Sequence, residues 1–572
     1  MKHRNGFNCL VEVSVPWLAA IAIAALTSMP AAHADVIADA NAALVNIVRV
    51  TSASLVDGPP EVAREIAMVD GAMFDAVNAA TGSRYTAMAY AGAAVSGASA
   101  DAAALMAALS VMKSLYLGAG SPYQQYKGVT GTAFYGAASP YAATLIGPSL
   151  AQMDRVAAQI GDLSAELTAL GGGAAVVAGA AIGTAAGQAT IAARANDNAY
   201  AASVGTLTPY VSPGAGQPGA YVTPATRPAM TPTWGAVRPF GVPGLAGLEA
   251  AVPPPLPLTS PGYANQVLQT ECQGYGTALP STIMSACAAA GFAPQTAAQS
   301  AAALFWNDPG GTAQPPGHWL QIADTVSANQ YLDLLDHARE DALVGIALAD
   351  AGTAVWAVKY QYALWRPTEA IRNCNGWSPV FLTCDPTWSS LIATPPHPDY
   401  LAGHPGFSGA AATVLAHFFG TDNVPFVSSS DAYCNTGTAT RDAAGTVVGC
   451  AAGGVSHTVC NNAPAQYGGV PVSDPAYNAS PLICAIAETF SGFSDASSGF
   501  LGSEFSRVAG GIHTPAAVEN ALALGNAVGA AVFVGNLLAV PEPPMLPVLA
   551  AAVAVAGLAR RRAGGATPGF RP

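Results

Sequence analysis

The chain has 572 residues, of which 51% are hydrophobic and only 10% are charged, and its formal net charge is −13. This acidic balance argues against a nucleic-acid partner, because binding to phosphates needs a positive surface. At about 150 residues per domain, the length allows two to four structural units. Much of the apolar fraction is alanine with helical spacing, so we predict an all-α protein, a helical bundle with long Pro/Gly-rich loops.

The first 34 residues have the features of a secretory signal peptide. Lys2 and Arg4 precede an apolar run that ends in an A-H-A motif just before Asp35, and small residues of this kind mark a cleavage site. A retained membrane helix is the alternative, but the run is short and the cleavage motif follows it. We therefore expect an exported protein whose mature chain begins near Asp35.

Two helical regions flank a long irregular segment. Residues 35–202 carry Ala-rich helical patterns, among them an amphipathic stretch at residues 61–80. Residues 203–292 are rich in Pro and Gly and are predicted to be extended and wrapped over the helices. Helical patterning returns in residues 293–540, which we expect to form the bundle that holds the functional site.

The number of cysteines predicts disulfides. Cys9 leaves with the signal peptide and eight cysteines remain, an even number that suits an exported chain. Their wide spacings contain no C-x-x-C and argue against a zinc cluster. Residues 421–480 hold three cysteines among small polar residues and are predicted to be a disulfide-pinned surface insertion. Connectivity stays open, and pairing of sequence neighbours predicts Cys272–Cys287, Cys374–Cys384, Cys434–Cys450 and Cys460–Cys484.

Residues 541–572 form a separate C-terminal tail. A Pro-Glu-Pro triplet precedes a short apolar run and then Arg560, Arg561 and Arg562, a basic cluster that halts export and stays cytoplasmic. The tail resembles the PEP-CTERM sorting signal of Gram-negative bacteria, which implies transient membrane association and processing by an exosortase. An ordinary C-terminal anchor is the alternative. The final location, at the cell surface, in the extracellular matrix or secreted, stays open.

Removal of both terminal segments makes the chain more acidic. Six of 21 basic residues and two of 34 acidic residues leave with them, so 15 and 32 remain and the balance is −17. Any positive site in the mature protein must therefore be local.

The segment "WAVKYQYALWRPTEAIR", residues 356–372, is unusually basic for this chain. Lys359 and Arg366 are seven residues apart, so on one helix both project from the same face and can converge on an anion. Pro367 is expected to end that helix, which places Arg366 at its C-terminal edge. Taken alone, the lysine fits a solvated helix charge and the arginine a structural ion pair.

Two later segments add histidines and a further arginine. "LAGH" places Gly403 and His404 at a predicted loop-to-helix junction, where backbone N–H groups favour an anion. "SRVAGGIH" holds Arg507 and His513, about one and a half helical turns apart. Each segment alone fits a helix-start histidine or a polar helix edge. Together the three segments supply fixed positive charge, forked donors and histidines, the set that chemistry on a tetrahedral oxyanion requires.

The order K-x6-R-P, then G-H, then S-R-x5-H resembles the vanadium-dependent haloperoxidases and the type 2 phosphatidic acid phosphatases, whose sites share one helical-bundle fold. The motifs cover about 30 residues and are specific to the superfamily rather than to one activity. The resemblance implies a vanadium haloperoxidase-like helical bundle. It also implies vanadate as the cofactor of a peroxidase.

The resemblance further implies a role for each motif residue. Lys359, Arg366 and Arg507 would hold the oxyanion, assisted by the Gly403 amide. His513 would be the vanadium ligand in a peroxidase or the nucleophile in a phosphatase, and His404 would bond the apical oxygen or protonate the leaving group. In the peroxidase, Lys359 would also polarise bound hydrogen peroxide.

Two positions bear on activity. Where the family usually has Pro-Ser-Gly-His, this chain has Ala402 before Gly403, so a serine hydroxyl that donates to the oxyanion is missing. His397, seven residues before His404, has an offset at which the sequence resembles algal bromoperoxidases, which favours bromide or iodide. A loop histidine with no role toward halide is the alternative. We expect His318, Trp319 and Trp365 to be packing or pocket-wall residues.

Three functions follow from these residues. The leading hypothesis is an exported vanadium-dependent haloperoxidase that oxidises halide with hydrogen peroxide. The second is a secreted acid phosphatase that cleaves a phosphate ester through a phosphohistidine. The third is a catalytically weak surface or matrix protein, which the missing serine and the sorting tail favour and the retained Lys, Arg and His residues oppose.

Overall fold

The computed structural model describes residues 35–540, except residues 277, 379–381, 432–438, 442–446, 451–457 and 461–483, and gives only the backbone of the strands between residues 439 and 487. The signal peptide at residues 1–34 and the sorting tail at residues 541–572 lie outside the described residues.

Helices dominate the described chain, as predicted. The helices of nine residues or more are Val36–Thr51, Pro59–Ala80, Ala100–Met112, Leu150–Ala169, Ala174–Arg194, Pro261–Gln273, Ser281–Ala289, Ala297–Phe305, Gln314–Asn329, Leu334–Tyr362, Gly403–Phe419 and Pro515–Gly535. The shorter α-helices are Pro122–Gln125, Gly131–Tyr135, Ala199–Gly205, Ala246–Ala250, Pro367–Arg372, Phe493–Ser498 and Ser503–Ala509. The all-α prediction is confirmed.

One long central helix organises the bundle. Helix Leu334–Tyr362 is buried along almost its whole length and packs against helix Pro59–Ala80 on one side and helix Gly403–Phe419 on another. A single hydrophobic core runs through these helices. The two helical regions that the sequence separates, residues 35–202 and 293–540, therefore share one core, because neither region can bury its apolar faces alone.

Small residues allow two helices beside the site to pack closely against each other. Helix Gly403–Phe419 packs against helix Pro515–Gly535, and a Cβ added to Gly525 would lie 2.2 Å from the Gly406 carbonyl oxygen. Any side chain at this position would push the helices apart. The helix that begins at Gly403 is thereby held firmly against the last helix of the bundle.

The segment 203–292 is only partly extended, so the prediction for it needs a correction. Helices Pro261–Gln273 and Ser281–Ala289 lie within it. The first is started by Ser260, whose hydroxyl accepts a hydrogen bond from the Tyr263 amide, and by a proline at the first helical position. Proline is favoured there because its missing N–H has no partner in the first turn anyway.

Strands occur only around the predicted insertion at residues 421–480, within the part of the chain that the structure describes. Three strands form an antiparallel sheet in the order Phe426–Ser430, Cys484–Phe490, Thr458–Cys460. Strands Ala439–Arg441 and Val447–Cys450 form a separate antiparallel pair. These strands do not change the helical character of the fold.

Two of the four predicted disulfides are confirmed. Cys272 is bonded to Cys287 and Cys374 to Cys384. The cysteines of the first pair are 15 residues apart in sequence and those of the second are 10 residues apart, and both pairs lie beside the site. The other two predicted pairs involve side chains outside the described residues and stay predictions.

Within residues 35–540, as far as the structure describes them, four helices are long and apolar enough to cross a membrane by length and composition alone. They are the helical stretch Ala100–Gln125 and helices Ala174–Arg194, Leu334–Tyr362 and Pro515–Gly535. The apolar stretch of Leu334–Tyr362 is 94% buried inside the bundle, so its composition is accounted for by its place in the core.

Glu271 predicts a measurable pH dependence of stability. It lies on helix Pro261–Gln273, is fully buried, and neither carboxylate oxygen has a hydrogen-bond partner among the described residues. Burial, and then the charge of Asp385, raise its pKa to about 8. An unfolded glutamate has a pKa of about 4.3, so the folded protein holds this proton more tightly than the unfolded chain. The contribution of Glu271 to the free energy of unfolding is therefore full below about pH 4.3 and is lost as the pH rises through its folded pKa of about 8.

Glu271→Gln should therefore stabilise the protein at high pH by a few kcal/mol relative to wild type, and much less near pH 4. Thermal unfolding of both chains between pH 5 and pH 9 measures the difference. The exposed Asp162 on helix Leu150–Ala169 provides the control, and Asp162→Asn measures what removal of an exposed carboxylate does to the same curves. Parallel curves for wild type and Glu271→Gln would contradict the prediction.

Candidate active site

Lys359 and Arg366 converge, but not from one helix as predicted. The central helix ends at Tyr362, and Ala363 has a left-handed conformation with φ 44°. Arg366 is extended and precedes helix Pro367–Arg372. The cause is Pro367, which disfavours a helical conformation for the residue before it. The chain therefore turns between the two basic residues and brings them together through a loop.

Lys359 is fully buried and holds the loop that leads to His404. Its ammonium donates to the Pro398 carbonyl at 2.9 Å and also contacts the Leu401 carbonyl, with the Asp399 carbonyl at 3.5 Å. Burial, and then the positive charge of Arg366, lower its pKa well below the usual value. The lysine thus fixes the backbone of this loop and brings its charge to the site.

Arg366 joins two loops of the site. Its guanidinium donates to the Pro395 carbonyl at 3.2 Å and the Ile512 carbonyl at 2.6 Å, and Nη1 lies 2.9 Å from His513 Nε2. Nη2 lies 3.0 Å from His397 Nδ1. The arginine is buried, so its forked donors determine how these segments are arranged.

Gly403 and His404 begin a helix, as the sequence predicts. Helix Gly403–Phe419 starts at Gly403, and Ala402 is its N-cap without a side-chain hydrogen bond. The first amides of a helix have no acceptor within the helix and point outward from its positive end. Pro405 is the third helical residue and has no N–H, so the amides of Gly403 and His404 are the ones this helix end offers.

Arg507 and His513 are not on one helix either. Arg507 lies in helix Ser503–Ala509, whereas His513 follows a turn at Gly511, which has φ 74°. A Cβ at Gly511 would meet the Gly274 carbonyl oxygen at 2.1 Å. The turn therefore requires glycine in both conformation and space, and it carries His513 back toward Arg366.

His513 has a defined tautomer. Nδ1 lies 2.8 Å from Asp399 Oδ1, and Asp399 also accepts a hydrogen bond of 2.7 Å from the Thr514 hydroxyl. On the other side of the ring, Arg366 can only donate to Nε2. The proton therefore resides on Nδ1, and the lone pair of Nε2 accepts the hydrogen bond from Arg366.

The charges around His513 keep it neutral. Burial, and then Arg366 and Lys359, lower its pKa well below the usual value. Burial raises the pKa of Asp399 to about 6, against the opposing effect of Arg366, so its carboxylate is ionised at neutral pH. An uncharged imidazole with an unprotonated Nε2 is the form that binds a metal centre or attacks phosphorus, and Nε2 becomes available when Arg366 donates to a bound anion instead.

His404 lies beside a second acid. Its Nε2 is 3.5 Å from Arg507 Nη1 and 3.9 Å from Asp308 Oδ2. Asp308 in turn contacts His318 Nδ1 at 3.2 Å, and the other ring nitrogen of His318 is 2.8 Å from the Ser428 hydroxyl. Burial, and then Arg507, lower the pKa of His404 well below the usual value. His318 thus contacts the acid that lies beside His404, so it is more than a packing residue.

The remaining predicted residues line the site. His397 is buried between Arg366 and Trp356, with its ring centroid 5.3 Å from that of Trp356 and 6.0 Å from that of His513. Trp365 donates to the Tyr263 hydroxyl at 2.8 Å, and Trp319 to the Ser408 hydroxyl at 2.8 Å. His397 therefore lies among the site residues, and both tryptophans pack in the core around them.

The residues present fit a tetrahedral oxyanion. Lys359, Arg366 and Arg507 are all buried, and among the described residues no carboxylate oxygen lies within 4.0 Å of their charged nitrogens. Asp399 and Asp308 are the acids of the site, so three positive charges face two negative ones. Buried charges are normally paired, so an anion is the partner this arrangement lacks.

Sequence reasoning missed Asp399 and Asp308. The only available signal for Asp399 was its place in "HPDY", between His397 and His404, and Asp308 stands in the turn-forming "NDPG". Neither pattern identifies a histidine partner, because the contacts bridge 114 residues in one case and 96 in the other. Only the folded chain brings each acid to its histidine.

The comparisons with known proteins agree with this geometry. Residues 340–536 match the sequence model of the VCPO second helical-bundle domain. A vanadium chloroperoxidase of Curvularia inaequalis is 29% identical over 142 residues, and the match covers 21% of this chain and 23% of that protein. Residues 340–536 of this chain include all three of its motif segments, with Lys359 and Arg366, Gly403 and His404, and Arg507 and His513.

Two solved structures share the fold. A crystal structure described as the first bacterial vanadium-dependent iodoperoxidase superposes with a TM-score of 0.57 at 20% identity, over 87% of this chain and 97% of that one. A holo-type bacterial vanadium-dependent chloroperoxidase superposes with a TM-score of 0.51 at 14% identity, over 83% and 92% of the two chains. At these identities the likeness concerns the fold.

Proposed function

We propose that this chain, which belongs to the vanadium haloperoxidase superfamily, holds vanadate at His513 and oxidises a halide with hydrogen peroxide. The observation that carries the proposal is an uncharged His513, held by Asp399, beside three buried basic side chains for which the described residues provide no carboxylate within 4.0 Å. Vanadate suits such a site because it is an oxyanion with one position for a nitrogen ligand.

The residues of the chain hold and orient the group. Arg366, Arg507 and the amides at the start of helix Gly403–Phe419 donate to the oxyanion, and Lys359 adds a positive charge. Bound vanadate supplies the Lewis-acidic centre that activates hydrogen peroxide toward a halide. Asp399 keeps the Nδ1 proton on His513, so Nε2 stays available as the ligand.

His404 is the residue that accepts the proton of hydrogen peroxide in this proposal. Its side chain is the most exposed of the site histidines and it is neutral, so a ring nitrogen can accept a proton from incoming hydrogen peroxide. Asp308, 3.9 Å from Nε2, then stabilises the resulting imidazolium. The His318 contact orients Asp308 from the other side.

An acid phosphatase is the second candidate. The same neutral His513 Nε2 can attack a phosphate ester and form a phosphohistidine as the bond from phosphorus to the leaving oxygen breaks. His404 can protonate that oxygen only in the molecules in which its ring is charged, a fraction that its lowered pKa keeps small at neutral pH. The charge arrangement favours phosphate for the same reason as vanadate. This candidate predicts ester hydrolysis that vanadate inhibits.

One pair of assays separates the two candidates. The exported chain, purified with its disulfides intact, is tested for bromination of a phenol dye with bromide and peroxide, before and after orthovanadate, and for p-nitrophenyl phosphate hydrolysis. Vanadate-dependent bromination supports the proposal. Phosphate release without bromination makes the protein a phosphatase, and silence in both assays makes it a catalytically weak surface or matrix protein.

Asp399→Asn should weaken vanadate binding by about 10- to 100-fold. The asparagine amide no longer compels the proton to stay on Nδ1, so Nε2 is lost as a ligand in part of the molecules. Calorimetric titration with vanadate measures the affinity, and ¹⁵N NMR of the histidine ring reports the tautomer. An unchanged affinity with an altered tautomer would contradict the role given to Asp399.

Ala402→Ser should strengthen vanadate binding. The hydroxyl would add one charge-assisted donor at the start of helix Gly403–Phe419, and such a bond contributes about 1.5 to 3 kcal/mol, or roughly 10- to 100-fold in affinity. The same titration compares the two chains. Ala402→Val is the control for added volume, and a similar gain there would show that the hydroxyl is not the cause.

Export remains part of the proposal. The basic and apolar segment before Asp35 and the Pro-Glu-Pro tail favour a chain that is secreted from a Gram-negative bacterium and processed by an exosortase. The two disulfides in the structure favour an oxidising compartment.

A further inference from the structure

A second cluster of ionisable side chains is buried far from the candidate active site. It lies at the other end of the central helix, where His337 and Asp341 face Asp324 of helix Gln314–Asn329. Lys359 is 18 residues beyond Asp341 on the same helix, a distance of about 27 Å at 1.5 Å per residue. The catalytic proposal does not use this cluster.

The ligand atoms in the cluster are close together. His337 Nε2 lies 3.1 Å from Asp341 Oδ2 and 3.3 Å from Asp324 Oδ1. Neighbouring ligands around an octahedral cation with bonds of about 2.1 Å are separated by about 3 Å. Both separations from His337 Nε2 therefore match those of neighbouring ligands, and all three atoms lie within 4.8 Å of one another.

The other side of the His337 ring is held by an acid. Nδ1 lies 2.6 Å from Asp35 Oδ2. A histidine that binds a metal commonly donates its second ring N–H to a carboxylate in this way, which fixes the tautomer and leaves the opposite nitrogen as the ligand. Asp35 thus orients Nε2 toward the two aspartates.

Unpartnered buried atoms indicate that a ligand belongs in the cluster. Asp70 is buried, 1% exposed, and neither of its carboxylate oxygens has a hydrogen-bond partner among the described residues. Asp70 also interacts electrostatically with the cluster. Burial, and then the charges of Asp324 and Glu340, raise its pKa, whereas the charge of His337 lowers it. One oxygen each of Asn41, Glu340 and Asp341 is likewise buried without a partner.

The protein charges do not balance within the cluster. His337 is one imidazole among the carboxylates of Asp35, Asp324 and Asp341, which lie 2.6 to 3.3 Å from its ring nitrogens. Even a charged His337 offsets only one of the acids, and it offers no donor to the Asp70 oxygens. A divalent cation would supply both the charge and the missing contacts.

We propose that this cluster binds one divalent transition-metal ion of the Mn²⁺ to Zn²⁺ class through His337, Asp324 and Asp341, with the buried Asp70 carboxylate adding negative charge to the site. One imidazole among carboxylates suits these ions better than Ca²⁺ or Mg²⁺, which prefer oxygen alone. Asp324 is 18% exposed in its side chain and provides the entry path.

The ion would hold the first helix to the core. Asp35 caps helix Val36–Thr51, and Asn41 of that helix donates to both Asp324 and Asp341 at 2.9 Å. The site therefore connects the first helix with two helices of the second half of the chain. Its expected role is structural, because no vanadate-binding residue lies in it.

Metal analysis of the purified, disulfide-intact chain tests the proposal. After exposure to micromolar Mn²⁺ or Zn²⁺ and removal of free ion, mass spectrometry of the metal should find about one ion per chain, with Ca²⁺ and Mg²⁺ retained at least tenfold more weakly. Asp341→Asn should lose the ion, and with it the rise in Tm that the metal causes, and Asp70→Asn should bind the ion at least about tenfold more weakly because it removes a nearby negative charge.

Asp350 provides the matched control on the same helix. Its carboxylate accepts hydrogen bonds from the amides of Phe240, Gly241 and Val242 at 2.6 to 2.9 Å, so Asp350→Asn should unfold more easily but keep the ion. Asp70→Asn removes a group without hydrogen bonds, so this variant should fold even where Asp341→Asn does not.

Two results would overturn the proposal. One is a wild-type chain that retains no ion and whose His337 ring is doubly protonated at neutral pH by ¹⁵N NMR, with or without added metal. The other is an ion retained equally by Asp70→Asn and Asp341→Asn. Loss of bromination with intact metal binding would affect only the proposed function, so the two failures are distinguishable.

Discussion

His513→Ala should abolish vanadate-dependent bromination, with a loss of about 10³-fold or more. Nε2 of this residue is the lone pair that Asp399 and Arg366 together direct into the site. The other site histidines do not replace it, because His397 has its own contact with Arg366 and His404 lies toward Arg507 and Asp308. Dye bromination and vanadate titration measure the effect.

His417→Ala is the control for this variant. His417 is exposed on helix Gly403–Phe419 and stacks on Phe533, away from the site, so its removal should leave bromination within about twofold of wild type. Full bromination by His513→Ala would disprove the assignment of the vanadium ligand. Loss of bromination with unchanged vanadate affinity would show that His513 acts in a later step.

Arg507→Ala should weaken binding of vanadate or phosphate by about two to three orders of magnitude, or about 3 to 4 kcal/mol. Arg507 is the best of the three cations for this test, because it donates to one backbone carbonyl, that of Ala303, whereas Arg366 and Lys359 each hold several loop carbonyls. Its loss therefore removes charge from the site with less damage to the loops.

The measurement is the rise in Tm with increasing vanadate. In wild type the anion should stabilise the fold by about 2.7 kcal/mol at a hundred times its Kd, and Arg507→Ala should show almost none of this rise at the same concentration. Arg507→Lys should recover part of it, because a point charge replaces a forked donor.

Arg194 is the matched control for this variant. It is buried but paired with Asp197 at 2.9 Å, so Arg194→Ala should lower the Tm yet keep the vanadate-dependent rise. An equal loss of that rise in both arginine variants would mean that the effect is on folding rather than on the anion.

The sequence by itself determined the helical character, the family and the residues that carry charge to the site. Alanine-rich helical periodicity is local information, and the three motifs depend on residue order alone. Two disulfides were also correctly paired from sequence neighbours, because short loops bring such cysteines together without help from the rest of the fold.

Tertiary structure decided how the site is assembled. The sequence predicted that Lys359 and Arg366 share a helix, but the left-handed Ala363 and the restriction imposed by Pro367 place them on either side of a turn. Arg507 and His513 are spaced by about one and a half helical turns in sequence, but the turn at Gly511 takes His513 off the helix of Arg507. The side chains still converge because loop carbonyls hold them.

The sequence also did not predict which acids contact the histidines of the site, nor the cluster around His337. Asp399 meets His513 across 114 residues, and Asn41 meets Asp341 across 300. No local pattern encodes such contacts, because they arise only when the bundle buries the apolar faces of helices that are remote in sequence. Periodicity and motif order therefore identify the family and its charged residues, whereas the protonation state and the partners of each group depend on the folded core.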